Sequence, residues 1–583
     1  MLEPAELSAR RRRGGELLRS ADPPAGDLAV LSTFNLDLLP PFLAEALDRH
    51  GVARRLWLAG FDQLAPAIAN PASELYARAP RDVLLVPAPE DLLAPLYDGT
   101  GAPGLAQERV AELRAQVETL LERLPGATIH VAVMGAEHAP AEHLLAPSAP
   151  GRGQAALAVL DAGLRALDAL DPRVVVADFE WAARSAGRAA LQDPRLWYLG
   201  RMRLNHAGHA LLADVVAGGL AAQHGVGRRK VLAVDLDDTL WGGVVGEVGP
   251  AGIGIGEEGV ALAFQDFQRA LVRLHDSGVL IALCSKNDPE YALAAFDHSA
   301  MVLRREHLVA TRVNWRDKAT NLRELADELD LALDSFVFLD DSPRERDWVR
   351  QALPMVCVPE LPADPADRPG FVSRAPWFRT LHVTEADRTR GASYQAQGER
   401  RRAQASAGSF EAYLASLEQR LTIEPVTEAT MPRAAQLCQR TNQFNLTTRR
   451  HTHAELEQML TDRATEVVTL SVADRFGDSG ITGLAITVSE GPEAELETLL
   501  LSCRLLGRRV EDAFLAVLAR RARDRGARTL VGRYEPTERN RQVADFYAER
   551  GFAPAGERRW RLDLEAAMPE APPQLTVEEP AHA

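Results

Sequence analysis

The sequence predicts a multidomain α/β protein, on three observations. Residues 27–226 alternate short apolar runs (LAVLSTF, DVLLVPA, TIHVAVM, RVVVADF) with longer amphipathic segments such as QERVAELRAQVETLLERL, the rhythm of a doubly wound sheet. Residues 228–370 hold three further apolar strands, each ending in polar side chains. A new pattern opens near Leu421, where ETLLLSCRLLGRRVEDAFLAVLARRA reads as a strand running through a turn into a helix. A length of 583 residues, 46% of them hydrophobic, provides for three or four domains with real cores.

Taken in order, residues 1–26 form an extension. Its start, MLEPAELSARRRRGGELL, is basic but has no apolar stretch behind it, so no signal peptide is expected. The doubly wound sheet occupies 27–226, and the second sheet, 228–370. Residues 371–420 are polar and helix-prone and read as a helical linker; 421–564 hold the third domain; 565–583, rich in Pro, Glu and Ala, are expected to be a disordered tail.

The formal charge of −16 and a pI near 5.5 argue against a nucleic-acid-binding surface. Cysteines at 284, 357, 438 and 503 have no paired spacing, which suits a reducing cytoplasm and neither a zinc site nor a disulfide framework. No apolar run approaches membrane-spanning length, so a cytoplasmic protein with no membrane partner is expected. There is no internal repeat.

The chemistry concentrates at strand ends in the second domain. VLAVDLDDTLWGG runs an apolar strand, Val231 to Val234, into Asp235, Asp237 and Thr239 on a small-residue turn. This arrangement suits phosphoryl transfer: Asp235 attacks phosphorus, and Asp237 protonates the leaving oxygen and then activates water. A hard divalent cation, Mg²⁺, would neutralise the crowded charge. The plain alternative is an acidic turn after a strand. Downstream, VLIALCSKN ends in Ser285, a hydroxyl for a phosphate oxygen; NWRDKATNL supplies Lys318 as the balancing cation; and SFVFLDDSP delivers Asp340 and Asp341 as metal ligands beside Asp235 and Asp237. Open α/β sheets place ligands at these carboxyl ends.

This ordered set resembles the haloacid dehalogenase (HAD) phosphohydrolases. DLDDTLWGGVVGEVG, CSKND, NWRDKATNL, FLDDSPRER, TNQFNLTTRR and LSCRLLGR together resemble the FkbH-like branch, over about Lys230 to Phe552. The resemblance implies a bifunctional glyceryltransferase and phosphatase that takes 1,3-bisphosphoglycerate and loads a glyceryl thioester on an acyl carrier protein for polyketide assembly. It adds Thr239, Asn287, Asn442, Gln443 and Asn445 as candidates for holding substrate or carrier arm. Turn or capping duty is the equal alternative for the asparagines. A plain Mg²⁺-dependent small-molecule phosphatase and a non-catalytic docking scaffold are the alternative functions. Little chain separates Thr239 from Ser285 or Lys318 from Asp340, which leaves no room for a cap domain and favours a site covered by another domain or a carrier protein.

The flanking domains resemble other folds. RMRLNHAGHALLADVVA is similar to the last helix of SGNH-type hydrolases, but aligning Gly208 puts Gly200 and Arg203 where the catalytic Asp and His belong. Ser32 would take the nucleophile position, with His206 or His209 as substitute base; without a base the hydroxyl is a poor nucleophile, so an inactive structural or docking domain is expected. The C-terminal domain resembles the GNAT acyltransferases, whose phosphate-binding loop corresponds to Arg504 to Arg509. Gly507 is kept and the second glycine is replaced by Arg509, which favours a carrier's phosphopantetheine arm over free coenzyme A. Thioester chemistry needs a thiolate, either the carrier's or a relay cysteine. Cys503, beside that loop, is favoured over Cys284, which strand alternation turns away from Ser285; Cys357 and Cys438 read as core residues. The arginines at 504, 508, 509, 520, 521, 523, 525, 528 and 533 are a candidate docking face for an acidic carrier, or simply a solvated helix face.

Overall fold

The structure is a computed structural model, and it describes residues 3–20, 27–99, 104–138, 153–383, 385–441, 444–451, 453–502 and 505–579. The architecture is mixed α/β with three separate sheets.

The first sheet contains β1 (Asp27–Ser32), β2 (Arg55–Leu58), β3 (Asp82–Val86), β4 (Thr128–Ala132) and β5 (Val174–Ala177) in the order β2-β1-β3-β4-β5, every neighbouring pair parallel. Its strands are near-continuous apolar runs because helices cover both faces. The His206–His224 helix buries Leu212, Val216 and Leu220 against Leu28, Val30 and Leu84 on one face, and Leu113, Val117 and Leu120 pack on Leu85 and Ile129 on the other. At the amino-terminal end of the central strand β3, the buried Asp82 carboxylate accepts from Arg54 Nε at 2.7 Å and meets His130 Nε2 at 3.4 Å, so the charge is taken out of water in company.

The second sheet contains β6 (Val231–Val234), β7 (Leu280–Ser285), β8 (Leu308–Val313) and β9 (Phe336–Leu339), hydrogen-bonded in the order β8-β7-β6-β9. Every residue of β6, β7 and β9 is buried. The segment after β6 turns back at Gly242 and Gly254, which exchange two backbone hydrogen bonds at 3.1 and 2.7 Å. A Cβ at Gly254 would sit 3.1 Å from the Gly242 carbonyl oxygen, a tight contact that glycine avoids at this close approach. Only short elements and the Gly259–Asp276 helix lie between Thr239 and β7, and the Lys318–Leu329 helix fills the interval before β9.

The third sheet has nine strands: β10 (Arg420–Pro425), β11 (Phe444–Asn445), β12 (Thr465–Asp474), β13 (Gly477–Glu490), β14 (Glu493–Leu501), β15 (Thr529–Arg533), β16 (Ala553–Pro554), β17 (Arg559–Asp563) and β18 (Thr576–Glu578). Parallel pairing of β14 with β15 spans Glu493 to Leu496 and then stops. Beyond it the edge of β14 is taken by β11, Phe444 opposite Leu501 and Asn445 opposite Leu500. Ile486 pairs with Thr498 and Thr487 with Leu496, so Glu497 is a bulge residue. Residues expected to form a disordered tail are instead ordered as far as Glu579: Leu575 is buried, Met568 packs on the core, and β18 extends the sheet parallel to β10. Composition predicted disorder because it does not register the open edge of β10, which supplies hydrogen-bond partners.

Within 371–420 the main element is the Arg390–Ser406 helix, anchored by Arg400, whose guanidinium grips Asp474 at 2.6 and 2.8 Å. The chain divides into two compact units, Met1–Val231 with Asp334–Asp341 and Pro354–Thr384, and Leu232–Leu333 with Ser342–Leu353 and Glu385–Ala583. Among the described residues no helix is long and apolar enough to cross a membrane.

Candidate active site

The site is assembled at the carboxyl ends of the second sheet. Asp235 follows β6 directly and is 7% exposed. Lys318, the first residue of its helix and 3% exposed, brings Nζ to 2.9 Å from Asp235 Oδ1. The helix starts there because Asp317 caps it, accepting from the Thr320 backbone at 2.9 Å. Asp340 and Asp341 follow β9, and ligand oxygens of Asp235, Asp340 and Asp341 all lie within 4.8 Å of one another. Three carboxylates with one ammonium among them leave a net negative charge, and an all-oxygen set of this size fits a small hard cation.

Asp237, expected as a fourth metal ligand, is outside that group. Its Oδ1 accepts from Trp241 Nε1 at 3.0 Å and from the Val245 backbone at 3.0 Å, and its Oδ2 accepts from Asn287 Nδ2 at 2.8 Å. Three donors fix the carboxyl plane and leave one lone pair on Oδ2 unclaimed by them. Burial raises the pKa of this carboxyl, and the charge on Asp235 raises it further, against the three hydrogen bonds. Asn287 is correspondingly a positioning residue for Asp237 rather than a substrate ligand. The backbone of Asp288 donates to its Oδ1 at 3.0 Å, which commits Nδ2 to Asp237.

Ser285 ends β7 and is 2% exposed, and Thr239 is fully buried in the turn whose backbone donates to Leu236. Cys284 faces away from the strand tip, as alternation requires: its Sγ lies 3.7 Å from the Lys318 carbonyl oxygen, with no exposed surface. A thiol enclosed in this way is out of reach of a carrier. Two supporting residues carry no sequence signal of their own. Trp241 is wholly buried, edge-on to Phe296 at 6.0 Å, which orients its indole N–H. Gln268 donates to the Leu240 carbonyl and accepts from the backbones of Val302 and Leu303, pinning the loop after Asp235.

In the C-terminal sheet, Cys503, Arg504, Asn442 and Gln443 lie outside the described residues. Asn445 is 1% exposed and serves the fold: Oδ1 accepts from the Thr448 backbone at 2.8 Å and its carbonyl accepts from Asn540 Nδ2 at 3.0 Å. Gly507 takes φ +76° in the loop before the Val510–Asp524 helix. The next residue, Arg508, is 8% exposed and pairs with Asp474 at 3.2 Å. Most of the expected arginine docking face is engaged with the chain's own acids: Arg509 with Asp512, Arg520 and Arg521 with Glu579, Arg528 with Glu565, Arg533 with Glu495. Glu497, the bulge residue, accepts from His451 Nε2 at 3.2 Å, Thr498 Oγ1 at 2.6 Å and Arg449. Burial pushes its carboxyl up, and those donors outweigh it and bring the pKa to about 2.

The N-terminal nucleophile position is structural. Ser32 Oγ donates to the Val86 carbonyl at 3.1 Å and accepts from the Phe34 backbone at 3.1 Å. Arg203 pairs with Asp91 and stacks 4.2 Å over Trp197. His209 is fully buried, with burial pushing its pKa down to about 4 against its hydrogen bond to the Asn205 carbonyl, while His206 lies beside Arg11 at 3.3 Å. Among the described residues, neither His206 nor His209 is hydrogen-bonded to Ser32.

No family model matches the chain, and no curated protein does. Among solved structures, the N-terminal part of the protein BF1531 from Bacteroides fragilis, containing a phosphatase domain complexed with Mg, is similar at 25% identity and TM-score 0.58, over 64% of this chain and 99% of that one. A putative GDSL-like lipase from Parabacteroides merdae matches at 15% identity over 34% of this chain and 97% of its own, TM-score 0.27. The ribosomal-protein-S18-alanine N-acetyltransferase from Escherichia coli matches at 17% identity over 25% and 94%, TM-score 0.21.

Proposed function

We propose that this protein is a Mg²⁺-dependent phosphatase coupled to acyl transfer, which strips phosphate from 1,3-bisphosphoglycerate and loads the glyceryl unit as a thioester on an acyl carrier protein. The observation that carries the phosphatase half is the 2.9 Å contact of Lys318 Nζ with Asp235 Oδ1, beside carboxylates converging within 4.8 Å. The similarity to a phosphatase domain holding Mg supports the same reading.

Asp235, Asp340 and Asp341 would hold Mg²⁺. When bound, the ion offsets their charge and polarises a phosphoryl oxygen. Asp235 attacks phosphorus, the bond from phosphorus to the substrate oxygen breaks on the opposite side, and Asp237 gives its proton to that oxygen. Asp237, now ionised, takes a proton from water; the water oxygen attacks the aspartyl phosphate, inorganic phosphate leaves, and Asp235 is restored. Lys318 holds Asp235 aligned throughout.

The balance of the reaction assigns the two phosphates. A thioester forms when a thiolate attacks the acyl carbon and the acyl phosphate leaves as inorganic phosphate; moving that phosphoryl group to Asp235 would instead discard the activated acyl group as a carboxylate. The ester phosphate is therefore the one for Asp235, since its alkoxide leaving group needs the proton that Asp237 is placed to give. The thiolate is the carrier's own or that of Cys503.

Incubation with 1,3-bisphosphoglycerate, Mg²⁺ and a phosphopantetheinylated carrier tests both halves. Phosphate release that Asp235→Asn abolishes, together with a glyceryl mass increment on the carrier, is the expected result. Phosphate release without added mass would reduce the reading to a simple phosphatase, and binding of the carrier with no turnover to a docking scaffold.

A further inference from the structure

Asn287 reaches Asp237, but its neighbour in the same strand-end turn, Lys286, takes no part in the chemistry above. Lys286 follows Ser285, the last residue of β7, and its Nζ lies 2.6 Å from Glu345 Oε1. Glu345 sits in the first turn of the Pro343–Ala352 helix that follows β9. In the sheet order β8-β7-β6-β9, the strands β7 and β9 flank β6. An ion pair joining the segments that follow their two ends therefore lies on the carboxyl-end side of the sheet, the side on which Asp235 and Asp237 stand.

The pair is lightly held. The Lys286 side chain is 33% exposed, against 4% for Lys318. Among the described residues, Nζ makes one contact, leaving two of its three N–H donors without a protein partner. Glu345 Oε2 is buried with no hydrogen-bond partner. A one-third-exposed ammonium with a single contact is weakly held from its own side, and the cost of an exchange lies with Glu345, whose carboxylate gives up its ionic partner. Lysine suits such an exchange, because its ammonium is a compact point charge on a flexible stem.

We propose that Lys286 is a second anion subsite of the active site. Its ammonium rests on Glu345 and transfers to a carboxylate or acyl phosphate at the far end of the substrate while the ester phosphate meets Asp235. The substrate class is then a small molecule carrying an ester phosphate and a second anionic group, and phosphomonoesters of neutral alcohols are disfavoured. The proposal rests on the phosphatase reading and adds the specificity determinant.

The test compares 3-phosphoglycerate with glycerol 3-phosphate, which share the ester phosphate and differ in a carboxylate against a hydroxymethyl group. With Mg²⁺, the wild-type protein should prefer 3-phosphoglycerate by at least about tenfold in kcat/KM, expressed in KM. Lys286→Met should cut that preference by about tenfold or more, Lys286→Arg should retain part of it, and Glu345→Gln should strengthen it, because the ammonium is released from its resting partner. A purely structural ion pair predicts the same loss from either partner's substitution and no change in preference. Equal use of both compounds by the wild type, or an unchanged preference in Lys286→Met, overturns the proposal. If neither compound is hydrolysed, phosphate release from 1,3-bisphosphoglycerate tests the phosphatase reading separately. Calorimetric titration of both compounds into wild type and Lys286→Met then decides the subsite, and equal affinities overturn it.

Discussion

At the residue scale, the candidate site depends on side chains that hold other side chains. Asn287 donates to Asp237 at 2.8 Å and is itself oriented by the Asp288 backbone. Removing that donor frees the carboxyl to rotate about the remaining contacts to Trp241 and Val245. Asn287→Ala should lower kcat for phosphate release by about ten- to a hundredfold with little change in KM, as expected for a lost interaction that matters in the transition state; an unchanged melting temperature would separate this from unfolding. A second residue-scale expectation concerns Glu497, whose pKa stands near 2 against an ordinary 4.5. A depressed folded-state pKa means that its contribution is complete above about pH 4.5 and is lost as pH falls toward 2, an effect on the order of 3 kcal/mol. Glu497→Gln should flatten the acid limb of stability in urea titrations between those pH values. Asp235, Lys318 and Asp340 were legible in sequence because each directly follows a strand or opens a helix with a recognisable start. The partners of Asp237 were not, since Asn287 is 50 residues away in sequence and its target is set by how two strands line up.

At the element scale, the last strand and the Arg390–Ser406 helix show what composition conceals. The chain after Leu564 has the composition of a disordered tail, yet β18 pairs with β10, Leu575 is 8% exposed, and Glu579 meets Arg520 and Arg521. Ending the chain after Ala566 should destabilise the C-terminal sheet by about 2–4 kcal/mol, mostly from lost apolar burial, as a lower denaturation midpoint. The Arg390–Ser406 helix is nearly uniformly polar, and its anchor is electrostatic: Asp474, with 1% of its side chain exposed, is shared by Arg400 and Arg508. Asp474→Asn leaves two enclosed guanidinium groups with a neutral partner and should cost about 3–5 kcal/mol, read from thermal unfolding. Helix-prone, polar composition predicts a helix here and cannot name its partner, because a polar helix has no apolar stripe to point at a core.

At the scale of the whole molecule, the carboxylates come from separate strands of one sheet, and the cluster is electrostatically unfavourable until a cation joins it. Mg²⁺ at about a hundred times its dissociation constant should stabilise the fold by about 2.7 kcal/mol, seen as a higher melting temperature, and Asp340→Asn should remove most of that gain. Local sequence alone specified the α/β class and which polar side chains stand at each strand end. Apolar runs followed within a few residues by Asp, Ser or Lys are local patterns, set by burial and by the period of the strand. Tertiary structure decided which of those ends become neighbours. The order β8-β7-β6-β9 puts β7 and β9 on either side of β6, lets Lys286 meet Glu345, directs Asn287 to Asp237, and leaves Cys284 buried. Such contacts join residues far apart in the chain, so they follow from strand order and helix docking and leave no trace in local spacing.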